Sequence, residues 1–229
     1  MDDHIETFNR SNDHCRAELK FSYSIIRSDY SKLCVMPNEV LFNEGEALQK
    51  ATILFWLKGY NGTSMNELTK VTGLSRSSIY NTFGTKHNLF IKCLNYYKQN
   101  QYNNITLSLY KANTPLKKIQ LIFRIAIDDL IRDKDKKGCF IINTTAELAN
   151  LENTIAAFVK KNMEDFENLF QQLIKEGQLS GEINKTLSPL AAARHLYNCL
   201  VGLKIIAQTT NDKKTLEDIA KVSLSVLQK

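Results

Sequence analysis

Residues 71–90 read VTGLSRSSIYNTFGTKHNLF, and the spacing in and just before this stretch decides the local fold. Ser64 stands three residues ahead of Glu67, the spacing of a capping box in which each side chain meets the other residue's backbone N–H, so a helix is predicted over MNELTKVT. Gly73 ends it. Ser75 is then placed to cap a short helix, RSSIYNTF, whose Ile79 and Phe83 form an i, i+4 pair facing inward. A further helix opens near Thr85. Two short helices about a glycine turn, the second carrying small polar residues, make a helix-turn-helix.

The second helix of such a unit enters the major groove, where its first residues reach base edges while flanking groups hold phosphates. Arg76 has the fork that pairs with guanine O6 and N7. Ser75, Ser77 and Ser78 are short enough to let the helix approach the duplex, and Tyr80 and Asn81 project one turn further on. Lys86 begins the next helix, where its ammonium and the free backbone N–H groups suit phosphate, with His87 beside it. With Ser64 at the head of the first helix, these nine residues are the expected double-stranded DNA contacts. Between residues 36 and 100 the cations are Lys50, Lys58, Lys70, Arg76, Lys86, Lys92 and Lys98 against Glu39, Glu44, Glu46 and Glu67, an excess of three. That excess is modest support for a polyanionic partner.

Upstream, EALQKATILFWLK (46–58) sets Ala47, Ala51, Leu54 and Phe55 on one helical stripe, stopped by GYNG. Downstream, five apolar-periodic segments are predicted as helices: Pro115 to Arg132, Cys139 to Leu151, Thr154 to Lys175, Pro189 to Ala207 and Lys213 to Leu227, with KDKKG and EGQLSG among the breaks. Residues 1–35 have neither period nor caps. They are expected to be dispensable for DNA binding, with Met36 as a candidate start; the alternative is an extension that packs on the body or reaches a minor groove through Arg10 or Arg16.

The pattern Gly73, Leu74, Ser75, Ile79, Tyr80, Phe83, Lys86 and Leu89 resembles, without a gap, the end of the DNA-binding module in TetR/AcrR transcriptional regulators. The ILFWLKGYNGTSM segment is similar to the family's first helix and its ending, so the likeness runs from about Glu46 through Phe90, and KGCFIINTTAEL resembles a segment of one broad group of these regulators. Leu68, Thr69 and Thr72 depart from the commoner Ile-Ala and Ala, and a threonine fits such sites when its hydroxyl bonds back to the helix. The resemblance implies an all-α protein: a helix-turn-helix domain at 36–90, then a helical effector-binding and dimerisation domain at 91–229. It also implies a homodimeric regulator, by default a repressor, released from a palindromic operator by a small organic effector.

Composition agrees with that class. The 229 residues are 43% hydrophobic with only 3 Pro and 9 Gly, which favours helices, and the formal charge is +6. Five cysteines, Cys15, Cys34, Cys93, Cys139 and Cys199, are scattered without metal-ligand or disulfide spacing; Cys139 and Cys199 are redox-sensor candidates against the commoner reading as inert buried thiols. No apolar run is long enough to span a membrane and MDDHIETFNR lacks signal-peptide character, so a cytoplasmic protein without membrane partners is expected. Gly-rich phosphate loops, HExxH, GxSxG and paired His/Cys are missing from the sequence, so neither an enzyme nor a bound cofactor is expected. In the C-terminal half, Phe123, Asn143, Glu147, Phe166 and Tyr197 are the candidate effector contacts, aromatics and sparse polar groups on neighbouring helices, with His195 read as structural. A ligand-independent or architectural DNA-binding protein is the alternative, distinguished by a solid C-terminal body; an enzyme with an appended DNA module is a third reading.

Overall fold

In the computed structural model, residues 43–210 and 212–228 are described; the expectations for residues 1–35, Met36, Cys15 and Cys34 lie outside them. Among the described residues nine helices and no strand occur. Asn43 accepts the Glu46 N–H and starts α1 (Glu44–Lys58), two residues ahead of the predicted stripe, whose Ala47, Ala51, Leu54 and Phe55 are all buried. In α2 (Met65–Thr72) both halves of the Ser64–Glu67 capping box form, and Lys58, with the Ser64 donors, holds the Glu67 carboxyl down to about 2. The hydroxyls of Thr69 and Thr72 bond back to the Asn66 and Leu68 carbonyls at 2.8 and 2.6 Å, so threonine fits both departing positions.

Gly73 has φ +73° and ψ 7°, a left-handed conformation that any Cβ would strain, and this residue turns the chain between α2 and α3 (Arg76–Phe83). Ser75 caps α3, Thr85 caps α4 (Lys86–Leu109), and Ile79 and Phe83 point inward at 0% and 2% exposure. Then follow α5 (Pro115–Arg132), α6 (Phe140–Leu148), α7 (Asn153–Ser180), α8 (Pro189–Ile206) and α9 (Lys213–Ser225). Proline at the first position of α5 and α8 costs nothing, because that N–H has no helical partner.

The largest boundary difference from expectation is at the end of α7. The segment EGQLSG does not break the chain after Lys175; α7 continues through it to Ser180 and closes at left-handed Gly181. Within that helix Ile183 packs against the bare Cα of Gly177, where a Cβ would meet the isoleucine side chain at 2.5 Å. The segment read as a break thus holds a packing site inside the helix.

Two apolar clusters fill the body. The first joins α1–α4 to α6 and Ile155 of α7; Phe90 lies at its centre, with ring centroids 5.0 Å from Phe55, 5.0 Å from Tyr60 and 5.6 Å from Phe140. The second is built by α5, α7, α8 and α9 around Phe123, Phe170 and Leu196. The helix-turn-helix therefore shares its core with α6 of the C-terminal half. Ala192 and Ala193 of α8 are buried in the second cluster, and Ala191 lies outside it. His195 is exposed rather than a satisfied core group, with Nε2 3.5 Å from Cys199 Sγ.

Candidate functional site

Because Ile79 and Phe83 take the inner face of α3, the opposite face is left to Arg76, Ser77, Tyr80 and Asn81, all exposed. Ser75 Oγ accepts the Ser78 N–H at 3.0 Å and lies 2.8 Å from both the Ser77 and Ser78 hydroxyls, which fixes the start of the helix. Arg76 Nη2 donates to Asn66 Oδ1 on α2 at 2.9 Å. The guanidinium is thereby aligned before any ligand arrives, and Asn66 is a positioning residue that the sequence reading missed. Ser64 is taken up by its capping box.

Beyond α3, Lys86 Nζ sits 4.3 Å above the Tyr60 ring. Burial lowers the pKa of this ammonium, against the opposing pull of Glu147 and Glu67. His87 turns away: Nδ1 is 3.2 Å from the Glu152 carboxylate, and its ring stands edge-on to Tyr60. The surface also has a charge property that counting from residue 36 diluted. Between Glu67 and Asp128 no carboxylate side chain occurs, while Lys70, Arg76, Lys86, Lys92, Lys98, Lys111, Lys117, Lys118 and Arg124 do. Along the chain α3 and α4 therefore bring cations alone toward a duplex, although Glu44 and Asp165 from other helices stand against Lys92 and Lys98.

The C-terminal effector candidates fare differently. A cleft of about 510 Å³ opens between α1, α4, α5, α7 and α8, lined mostly by apolar groups such as Trp56, Ile122, Ala126 and Leu200. Of the five predicted contacts only Phe166 lines it. Phe123 is core, 1% exposed, its ring 6.2 Å from Phe170. Tyr197 packs against Phe166 at 6.0 Å from behind, where burial raises its pKa. Asn143 is spent on structure, donating to the Lys137 carbonyl at 2.7 Å and accepting from Gln208 Nε2 at 2.8 Å.

Glu147 is the clearest correction: it faces no cavity. Its Oε2 accepts the Tyr60 N–H at 3.0 Å and its Oε1 the Asn61 N–H at 2.8 Å. Gly59, at φ +73°, makes room, since a Cβ there would come within 2.6 Å of the carboxylate. Two amides freed by the turn after α1 are thus satisfied by α6 of the C-terminal half. At its other end α6 meets the cleft, where Cys139 forms part of the wall and Trp56 Nε1 donates to the Gly138 carbonyl at 3.2 Å. One short helix therefore spans from the cleft to the turn that carries Tyr60 beneath Lys86.

Glu147→Gln leaves a carboxamide with one acceptor for two N–H groups. Amide hydrogen exchange at Tyr60 and Asn61 is expected to accelerate by about ten- to thirtyfold, on the order of 1.5–2 kcal/mol of charge-assisted bonding at a half-exposed site. Unchanged exchange at both amides would remove the link between α6 and this turn.

The signals missed for the cleft were present in YYKQNQYNN (96–104), a carboxamide-rich run inside a helix, and in GLKIIA (202–207), where Lys204 is a lone cation in an apolar stretch.

Residues 47–93 match the family model described as bacterial regulatory proteins, tetR family, and residues 115–222 match that described as tetracyclin repressor-like, C-terminal domain. The chain is 29% identical over 187 residues to an uncharacterized HTH-type transcriptional regulator, YezE, of Bacillus subtilis, covering 81% of this chain and 96% of the relative. It is also 29% identical over 186 residues to the HTH-type transcriptional repressor ComR of Escherichia coli, covering 80% and 88%. Among solved structures, the TetR-family regulator CifR, a cysteine mutant complexed with 26bp double-strand operator DNA, superposes with a TM-score of 0.71 at 21% identity over 81% of this chain and 97% of that one. A TetR regulator of Chloroflexus aurantiacus gives 0.73 at 20% identity over 79% and 91%.

Proposed function

Since this chain belongs to the TetR family of bacterial transcriptional regulators, we propose that it is a homodimeric repressor of the kind its sequence implies. It grips a palindromic operator through α3 and lets go when a small organic molecule fills the cleft. The observation that carries the DNA half is the outer face of α3: Arg76 aligned by Asn66, with Ser77, Tyr80 and Asn81 beside it, in a stretch free of carboxylates. Arg76 and Asn81 supply base-edge groups, while Ser75, Ser77, Tyr80 and Lys86 meet the backbone. His87, turned toward Glu152, holds Tyr60 in place rather than phosphate.

Dimerisation is assigned to α8 and α9. Ile205 and Ile206 at the end of α8, Val222 on α9 and Val226 at its C-terminal cap are exposed, and two such helices per subunit make a four-helix interface. The two α3 helices then face half-sites about one helical turn, ~34–36 Å, apart.

Release follows from the two ends of α6. A ligand that prefers a cleft of altered width shifts the Gly138 end and, through Glu147, the turn under Lys86; it lowers operator affinity by its differential affinity for the two states. The cleft favours this reading over a ligand-independent DNA-binding protein. Such a protein works on DNA in the cytoplasm; no helix among the described residues is long and apolar enough to cross a membrane.

Binding-site selection with the full chain tests the proposal. Palindromic half-sites about 10 bp apart centre to centre, bound by a species of twice the chain mass in light scattering, are the expected outcome. Selection of no motif, or a monomer at micromolar concentration, would overturn it.

A further inference from the structure

Five charged side chains line the cleft, and their pairing leaves one over. Asp133 is held by Lys137 and by the Gly138 N–H at 3.0 Å. Asp129 Oδ1 has Arg132 Nη1 at 3.7 Å. Lys204 is the fifth, and no carboxylate among the described residues comes within ion-pair distance of it. Its ammonium lies 3.9 Å from the buried Cys139 thiol and 5.9 Å from the Phe166 ring, both of which line the cleft. Asp129 feels the charge of Lys204 only at longer range, and burial raises the pKa of that carboxyl.

Around this leftover cation the walls are hydrocarbon and aromatic: Trp56, Ile122, Ala126, Phe166 and Leu200. On the α4 side the carboxamides of Asn100 and Asn104, one turn apart, make no hydrogen bond among the described residues. A cation in a mostly apolar recess gains from an anion far more than it would in open water, because screening is reduced there. A dication or a polyphosphate would leave charge uncompensated, and a neutral hydrocarbon would forgo the pairing.

We propose that the cleft selects a small organic monoanion, a carboxylate on an alkyl or aryl body, with the head group on Lys204 and the body along the Trp56–Phe166 wall. This rests on the reading of the cleft as the effector site and deepens it by naming the ligand's chemistry. The volume of about 510 Å³ admits a body of roughly ten carbons, since pockets of a few hundred Å³ and up enclose most of such a ligand.

Trp56 is the chain's single tryptophan and lines the cleft, so its fluorescence reports occupancy directly. The full chain titrated with decanoate, 1-decanol and decylamine at neutral pH is expected to bind decanoate about tenfold or more tighter than decanol, with decylamine weakest. Lys204→Met should bring decanoate down to the affinity of decanol while decanol itself changes less than about twofold; Lys204→Arg should restore the preference, which separates charge from misfolding. Equal affinity for the three probes, tightest binding of decylamine, or a preference that survives Lys204→Met would overturn the anion selectivity while leaving the cleft as a binding site. No Trp56 response to any of the three would remove the effector reading of the cleft along with it.

Discussion

Phe90→Ala is expected to lower the free energy of unfolding by about 3–5 kcal/mol, read as a lower urea midpoint at an unchanged slope. Phe90 is fully buried and its ring touches three others from three different parts of the chain: Phe55 of α1, Tyr60 of the following turn and Phe140 of α6. Two of those contacts are edge-to-face, at 77° and 87°, an arrangement that contributes about 0.5–1.5 kcal/mol per pair beyond the area buried. Alanine deletes the ring and leaves a cavity that four separate elements would have to collapse to fill. Tyr60 loses its floor in the same step, so Lys86 above it is freed as well. Phe123→Ala, in the second cluster, removes an equally buried ring but touches nothing next to α3. The two variants should therefore differ in DNA binding measured well below their unfolding midpoints, with only Phe90→Ala weakened. A loss of stability under about 1.5 kcal/mol for Phe90→Ala would mean that the first cluster is not the tight junction its geometry describes.

What the sequence made readable was local. Ser64 and Glu67 are three residues apart, Ser75 and Ser78 likewise, and Pro115 and Pro189 sit at the first helical position; each signal and its partner fall within one turn, so the pattern fixes the boundary. The segment EGQLSG, with Gly177 in it, reads as a break for the opposite reason. The use of Gly177 as a packing site depends on Ile183, which returns to it only after the turn at Gly181. The candidate effector residues failed at longer range still. Glu147 and Asn143 stand out as sparse polar groups, but their long-range partners, Tyr60, Asn61 and Gln208, lie 65 to 87 residues away, and no spacing rule points there. A cleft is a property of several helices at once, so residues such as Trp56, Asn100 and Lys204 acquire their meaning only when α1, α4 and α8 converge. The face of α3, by contrast, follows from two inward residues on one short helix.

Arg76→Ala is expected to weaken binding to the selected operator by about 1–3 kcal/mol per half-site, or roughly 2–6 kcal/mol for the two half-sites of a dimer if their effects add. Preference should relax at one base position in each half-site, and binding to random duplex should fall much less. A guanidinium already held at 2.9 Å by Asn66 of the neighbouring helix loses little rotamer freedom on docking, so most of its two-bond contact with a guanine edge is realised. Asn66→Ala keeps the charge and removes that alignment, so it should cost specific affinity less than Arg76→Ala does and leave the salt dependence unaltered. Lys86→Ala should behave unlike either. Its ammonium, fixed over Tyr60 at the start of α4, lies beyond the reading helix, and its loss should weaken every sequence alike and reduce the salt slope by about one per lost phosphate contact. Titrations of the selected operator and of a scrambled duplex at several salt concentrations separate the three variants. If Arg76→Ala loses as much on the scrambled duplex as on the operator, the residue is a phosphate clamp, and base reading then passes to Asn81, the other base-edge group on that face.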